Sequence, residues 1–234
     1  MLPKEAARRA RGDLLLSTGN RLLAFAAHPD DLEYYIGGSL AAYAARGGRV
    51  TAVLATDGDR GGRRLALGKL RRKEQEQAAE ILGYSEVRFL GLPDRGLRHL
   101  PVRLREEVGT IMAECPADLV LTFDGSKPMP PYVHPDHVAI GLAILAVLGH
   151  LEEAPDLYLF HTRSPDTVID VSDFWDLKLG ALRQYRSQAR GEQLPRAARP
   201  LWRAFSGDVG FPAIPRREKF RRVFKAEIHK HGQI

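Results

Sequence analysis

One cysteine, Cys115, is all the chain has, so no intrachain disulfide can form. The first residues, Met1 to Asp13, are charged and lack the apolar core and small-residue cleavage site of an export signal. Together these absences make the cytoplasm the expected location. No apolar run reaches the roughly 18 residues that a membrane span needs, so no membrane partner is expected. The first apolar run is not followed by Gly-x-Gly-x-x-Gly, and no Walker loop is present, which weighs against a nucleotide site. An RNA-binding motif and a cysteine-paired zinc finger are also missing. The net charge is +6, but the basic residues are dispersed over 60–72, 183–203 and 216–230. Nucleic acid is therefore not the expected partner, and such a surface suits an anionic small molecule.

What is present reads as one domain over 1–234. Hydrophobic residues make up 44% and charged residues 27%, enough apolar material for a real core. Apolar runs at 22–27, 50–55, 87–90, 118–123, 157–161 and 168–171 read as strands. Helical segments are expected at 39–46, 69–82, 102–114, 138–148 and 173–187, the last with Asp173 as N-cap. Strands alternating with helices predict an α/β fold: a Rossmann-like, mostly parallel sheet with helices on both faces. The segment 217–229 reads equally as strand or short helix. The catalytic core is expected over about 21–190, with an irregular, Pro-rich region over 191–234.

Two polar clusters stand out. His28-Pro29-Asp30-Asp31 follows the first strand, and His134-Pro135-Asp136-His137 lies about a hundred residues later. A lone His-Pro-Asp in a loop is usually solvated turn chemistry. Two such clusters, each after a buried strand, point to one metal site at the carboxyl ends of the sheet. His28 and Asp31 can aim at one point around a Pro-bent turn, and His137 is the natural third ligand. Zinc takes such nitrogen and oxygen ligands and keeps a position open for water; another divalent metal such as Fe2+ is also compatible. Asp30 is then placed to take a proton from water. His134 is placed to steady an oxyanion or protonate a leaving amine.

Secondary candidates are Arg71, for a substrate hydroxyl or carboxylate, Asp94, for sugar hydroxyls, and Asp57, to orient a ligand histidine. Glu74 is expected to pair with a basic residue. His99, His150, His161, His229 and His231 lack partners at ligand spacing and read as structural or surface groups.

At these residues the chain resembles the LmbE/PIG-L family of zinc-dependent N-acetylglucosaminyl deacetylases. The resemblance rests on Ala27-His28-Pro29-Asp30-Asp31, Gly37-Gly38, Thr56-Asp57-Gly58, Arg71-x-x-Glu74 with Leu82-Gly83, Gly91-Leu92-Pro93-Asp94, His134-Pro135-Asp136-His137 and Ser187-Gln188. It implies zinc on His28, Asp31 and His137, Asp30 as general base and His134 on the oxyanion side. Family members often carry Glu directly after the two aspartates. Here Leu32 intervenes before Glu33, similar to the bacillithiol-pathway branch. The expected activity is removal of acetyl from an N-acetylglucosamine-containing small molecule, with the malate conjugate leading, by an enzyme that is a homo-oligomer. The alternatives are a non-catalytic binder of sugar phosphates or nucleotides on the same fold, and metal-dependent phosphoester hydrolysis, which often uses two metals and more carboxylates.

Overall fold

The computed structural model describes residues 19–59, 65–131, 133–188 and 216–231. Expectations for residues 1–18, for most of the arginine-rich loop after Asp59 and for the Pro-rich stretch before Arg216 lie outside the described residues.

In chain order the elements are β1 (Arg21–Ala26), α1 (Asp31–Ala45), β2 (Arg49–Thr56), α2 (Leu65–Leu82), β3 (Glu86–Leu92), α3 (Pro101–Glu114), β4 (Leu119–Phe123), α4 (Pro135–Gly149), β5 (Asp156–Phe160), β6 (Thr167–Asp170), α5 (Trp175–Leu182), β7 (Arg217–Val223) and α6 (Lys225–His231). The seven strands are ordered β3-β2-β1-β4-β5-β7-β6. Pairing is parallel from β3 through β5, while β7 runs antiparallel to both β5 and β6. Helices α1, α2 and α5 pack together on one face, and α3, α4 and α6 on the other. Leu22 to Ala26 are all buried. This is why β1 reads as an unbroken apolar run: a strand covered on both faces has no solvent side to alternate with. No described helix is long and apolar enough to cross a membrane.

Three elements depart from the sequence reading. Helix α1 begins at Asp31, not near Ser39, and carries Gly37-Gly38 inside it. A Cβ on Gly38 would stand 2.5 Å from the Val171 Cβ, so Gly38 lets the helix lie against the chain at the end of β6. Helix α5 spans only Trp175–Leu182 and follows a 3-10 turn at Ser172–Phe174, so Asp173 is not its N-cap. The chain must turn there to bury Phe174, and again to bring Tyr185 back into the core. Residues 217–231 form strand and helix in succession. Strand β7 lies between β5 and β6, with Glu218 and Arg221 buried.

Two features tie the sheet to the segment that leads into α4. Asp124, just past β4, accepts from Arg221 Nε at 2.8 Å, Thr162 Oγ1 at 2.7 Å and the Lys127 amide at 2.8 Å. Burial pushes this carboxyl up, but Arg221 and Thr162 outweigh it and hold it at about 2. An unfolded aspartate titrates near 3.9. The group therefore adds stability that is fully present above about pH 4 and is lost as pH falls through about 2. Asp124→Asn should lower stability at neutral pH and flatten its decline between those values in urea titrations; acid limbs of equal steepness would overturn this.

The second feature is a close approach at Gly141 in α4. A Cβ there would stand 2.3 Å from the Phe123 carbonyl oxygen and 2.7 Å from the Gly125 nitrogen. Both obstacles are backbone and cannot rotate away. Gly141→Ala gains helix propensity of about 1 kcal/mol but overpacks a rigid contact. We expect a net loss of about 2 kcal/mol, read as a lower urea midpoint. An unchanged or higher midpoint would show that α4 can move off β4.

Candidate metal centre

The two polar clusters meet because β1 and β4 are neighbours. From this pair the chain runs outward to β2 and β3 on one side and to β5 on the other. That reversal opens a crevice beyond the strand ends.

His28 leaves β1 in a tight turn. Its amide donates to Asp31 Oδ2 at 2.9 Å, which folds the carboxylate back toward the imidazole. Asp30 occupies the N-cap position of α1 at φ 93, in the left-handed region where Asp is among the tolerated residues. That bend sends the Asp30 and Asp31 side chains in different directions.

On the opposite wall His134 is the N-cap of α4, its Nδ1 accepting from the Asp136 amide at 3.2 Å. His137 sits in the first turn, stacked on Phe123 with ring centroids 3.8 Å apart.

Asp31 lies between the two walls. Its Oδ2 is 3.3 Å from His28 Nδ1 and its Oδ1 is 3.1 Å from His137 Nε2. Two further carboxylates approach His28 Nε2: Asp94 at 3.1 Å and Asp136 at 3.4 Å. Donor atoms of His28, His134 and His137 lie within 4.8 Å of one another, as do those of His28, Asp94 and Asp136. Thus His28 is common to both groups, and Asp31 joins the first by direct contact with two of its three members.

These residues fit a cation. His28 Nδ1 and His137 Nε2 each face a separate oxygen of the buried Asp31 carboxylate, a nitrogen and oxygen donor set that suits zinc. The other His28 nitrogen, Nε2, faces Asp94 and Asp136. Two donors each about 2.0–2.2 Å from a tetrahedral zinc lie about 3.3–3.6 Å from each other. The contacts made by Asp31 fall close to that separation.

The electrostatics follow from burial and charge. Burial would depress the His28 imidazole, but Asp136, Asp31 and Asp94 lift it well above the usual range. Burial would raise Asp31, but His137 and His28 hold it well below. For Asp30 burial prevails over the pull of Arg71 and raises the carboxyl to about 7. Burial, with His28 and His137 nearby, lowers His134 to about 4. Protein groups alone thus leave Asp30 near neutrality and His134 uncharged.

The other expected residues fall around this centre. Arg71 is buried behind Asp30. Its Nη2 donates to Asp30 Oδ2 at 3.0 Å and, closely, to the Pro29 carbonyl, while Nη1 donates to the Gly58 carbonyl at 3.2 Å. Asp94 faces His28 from the turn after β3. Among the described residues Asp57 touches no histidine; it pairs with Arg72 at 2.8 Å, because the end of β2 faces α2 rather than the crevice. Glu74 meets no basic group among the described residues. It accepts from the Ser187 amide at 2.7 Å and hydroxyl at 2.5 Å, joining two of the quoted sequence motifs. His99 and His150 are exposed, while His161 stands near the centre, 6.4 Å from the His137 ring.

Two functional positions escape the sequence reading. Asp136 is fully buried and accepts from the Arg95 amide at 2.6 Å and the Leu97 amide at 3.2 Å, fixing the turn that carries Asp94. Its place inside the second cluster was the available signal. Gln75 accepts from the Asp30 amide at 3.3 Å and donates to Glu33 at 2.8 Å; Tyr185 donates to Glu33 at 2.7 Å. Gln75 lies one turn after Arg71 on α2, so the spacing places both on one helix face.

Comparison with known proteins agrees with this architecture. Residues 23–148 match the PIG-L family, described as GlcNAc-PI de-N-acetylase. A probable N-acetyl-alpha-D-glucosaminyl L-malate deacetylase 2 of Bacillus cereus is 30% identical over 181 residues, covering 69% of this chain and 80% of the relative. A diacetylchitobiose deacetylase of Thermococcus kodakarensis is 29% identical over 194 residues, covering 72% and 70%. In fold, the N,N'-diacetylchitobiose deacetylase of Pyrococcus horikoshii superposes with a TM-score of 0.72 at 24% identity, covering 96% of this chain and 91% of that one. A buried His/Asp centre at the crevice between β1 and β4, on a sheet shared with these enzymes, places this chain in the PIG-L family of de-N-acetylases.

Proposed function

We propose that the protein is a zinc-dependent deacetylase of an N-acetylglucosamine conjugate, with the malate conjugate as the leading substrate. The observation that carries this reading is Asp31 bridging His28 and His137 while Asp30 turns away to Arg71. The first three residues would hold the metal and the fourth remains outside it. The family relationship supports deacetylation, and the name of the Bacillus cereus relative supports the malate conjugate.

When bound, the metal would polarise the acetamide carbonyl and make water more acidic. The remaining chemistry belongs to side chains. Asp30 takes the proton as water oxygen bonds to the carbonyl carbon. It then returns that proton to the amine nitrogen as the carbon–nitrogen bond breaks, giving acetate and a free amine. Arg71 and Gln75 hold Asp30 from its side chain and backbone respectively. His134 uses Nδ1 to cap α4, so in the neutral imidazole Nε2 carries the proton and can donate to the developing oxyanion. That role requires no positive charge on His134. Asp94 and Asp136 orient the His28 ring, and Asp94 stands where a sugar hydroxyl would reach it.

Metal analysis of the purified protein, together with acetate release from N-acetylglucosaminyl malate, tests the proposal. We expect bound zinc, loss of turnover on chelation and recovery when zinc is restored. Zinc-loaded protein that releases no acetate from any N-acetylglucosamine conjugate would overturn it.

A further inference from the structure

A buried polar path runs from the turn after α5 to the backbone of Asp30. Tyr185, Glu33 and Gln75 are all buried, and they come from three parts of the chain that no sequence spacing connects. The Tyr185 hydroxyl donates to Glu33 Oε2 at 2.7 Å and stands 2.8 Å from Gln75 Oε1. Gln75 Nε2 donates to Glu33 Oε1 at 2.8 Å. Gln75 Oε1 in turn accepts from the Asp30 amide at 3.3 Å. Burial, reinforced by Glu33, pushes the Tyr185 phenol well above its usual range, so it remains a donor at neutral pH.

The two ends of the Gln75 carboxamide are not equivalent to Asp30. Turned over, the group would set Nε2 against the Asp30 N–H, donor against donor. Glu33 selects the useful orientation by accepting from the Nε2 end, and Tyr185 holds the second Glu33 oxygen. Asp30 needs such support. Its backbone lies at φ 93, a conformation that persists in a non-glycine residue only where its surroundings impose it. The segment after α5 grips α2 a second time, where Ser187 donates to Glu74 through its amide and its hydroxyl. That second contact ends at Glu74, whereas the Tyr185 contact continues to Asp30.

We infer that Tyr185 is a positioning residue for proton transfer: through Glu33 and Gln75 it fixes the backbone of Asp30, and with it the direction in which the Asp30 carboxylate meets water. The inference rests on the reading of Asp30 as the base of a deacetylase. Among the described residues Tyr185 makes no hydrogen bond to His28, Asp31 or His137. Loss of its hydroxyl therefore acts on the base and leaves the metal ligands in place.

Two measurements test this in Tyr185→Phe, which keeps the ring and removes the hydroxyl. The first is hydrogen exchange at the Asp30 amide, followed by NMR, and it needs no turnover. Exchange should quicken by about tenfold, since the acceptor of that amide is released. The Tyr34 amide, which donates to the Asp30 carbonyl at 2.9 Å, should exchange as in the wild type. Unchanged exchange at Asp30 overturns the inference, whatever the enzyme's activity. The second is acetate release from N-acetylglucosaminyl malate. Here kcat should fall by about tenfold, with KM and bound zinc unchanged. Ser187→Ala, which loosens the other grip on α2 but keeps the Ser187 amide, should leave kcat near wild type. An equal loss in that variant would make docking of α2 the cause and overturn the path to Asp30. Gln75→Leu alone should reproduce both effects, which keeps the path testable should Tyr185→Phe not fold. Combined with Gln75→Leu, Tyr185→Phe should cost no further activity, because both act along one path. Additive losses would show that Tyr185 acts by another route. A wild-type enzyme that releases no acetate would count against the deacetylase reading, and the exchange measurement would still decide on Tyr185.

Discussion

Asp30→Asn should reduce acetate release by about 10²–10⁴-fold, the usual contribution of a positioned general base, while bound metal stays at the wild-type level. The substitution removes the proton acceptor and little else. Asparagine tolerates the left-handed backbone that Asp30 adopts at φ 93. Its amide oxygen can still accept from Arg71, and the Gln75 contact is made by the backbone amide. Neither His28 nor His137 is touched. The loss should therefore appear in kcat, with metal content and urea midpoint near wild type. Turnover within a few-fold of wild type would show that another group takes the proton. Loss of metal would show that Asp30 belongs to the coordination shell.

The second large effect separates two ways of holding the ion. Asp31 and His134 are alternative companions for His28 and His137. Asp31→Ala should strip the protein of most of its metal, because it removes the carboxylate that lies between both imidazoles. His134→Asn should keep the metal and lower kcat by about 10²–10³-fold, the scale for losing one oxyanion donor. Asparagine is also a good N-cap, so α4 and His137 stay in place. Circular dichroism of both variants would confirm that folded protein is being compared. The opposite result, metal lost with His134→Asn and retained with Asp31→Ala, would assign the ion to the three histidines. The reason to expect the first outcome is that His134 already spends Nδ1 on the helix, whereas Asp31 touches both partners with separate oxygens.

The sheet and the centre were legible to different degrees. The unbroken apolar runs of β1, β2 and β4 marked buried parallel strands, and their alternation with helices set the fold class. The spacing within His28-Pro29-Asp30-Asp31 and His134-Pro135-Asp136-His137 placed both clusters after strands. These are local signals, carried by residues close together in the chain. By contrast, Gly37-Gly38 looked like a break before a helix. It lies inside one, and at Gly38 the helix passes so close to Val171, far away in sequence, that no Cβ fits.

Spacing and residue type alone thus determined an α/β chain with metal-ligating chemistry at its strand ends. Tertiary structure decided which groups face which. Arg71 lies behind Asp30 because α2 packs over the turn after β1. Asp136 reaches His28 because α4 starts where β4 meets β1. His161, isolated in sequence, stands near the metal centre because β5 ends beside β4. Local periodicity carries burial and element type, since each depends on neighbours within a turn or a pleat. The partner of a buried charge or an imidazole is set by strand order and helix placement, which bring together residues that no sequence spacing connects.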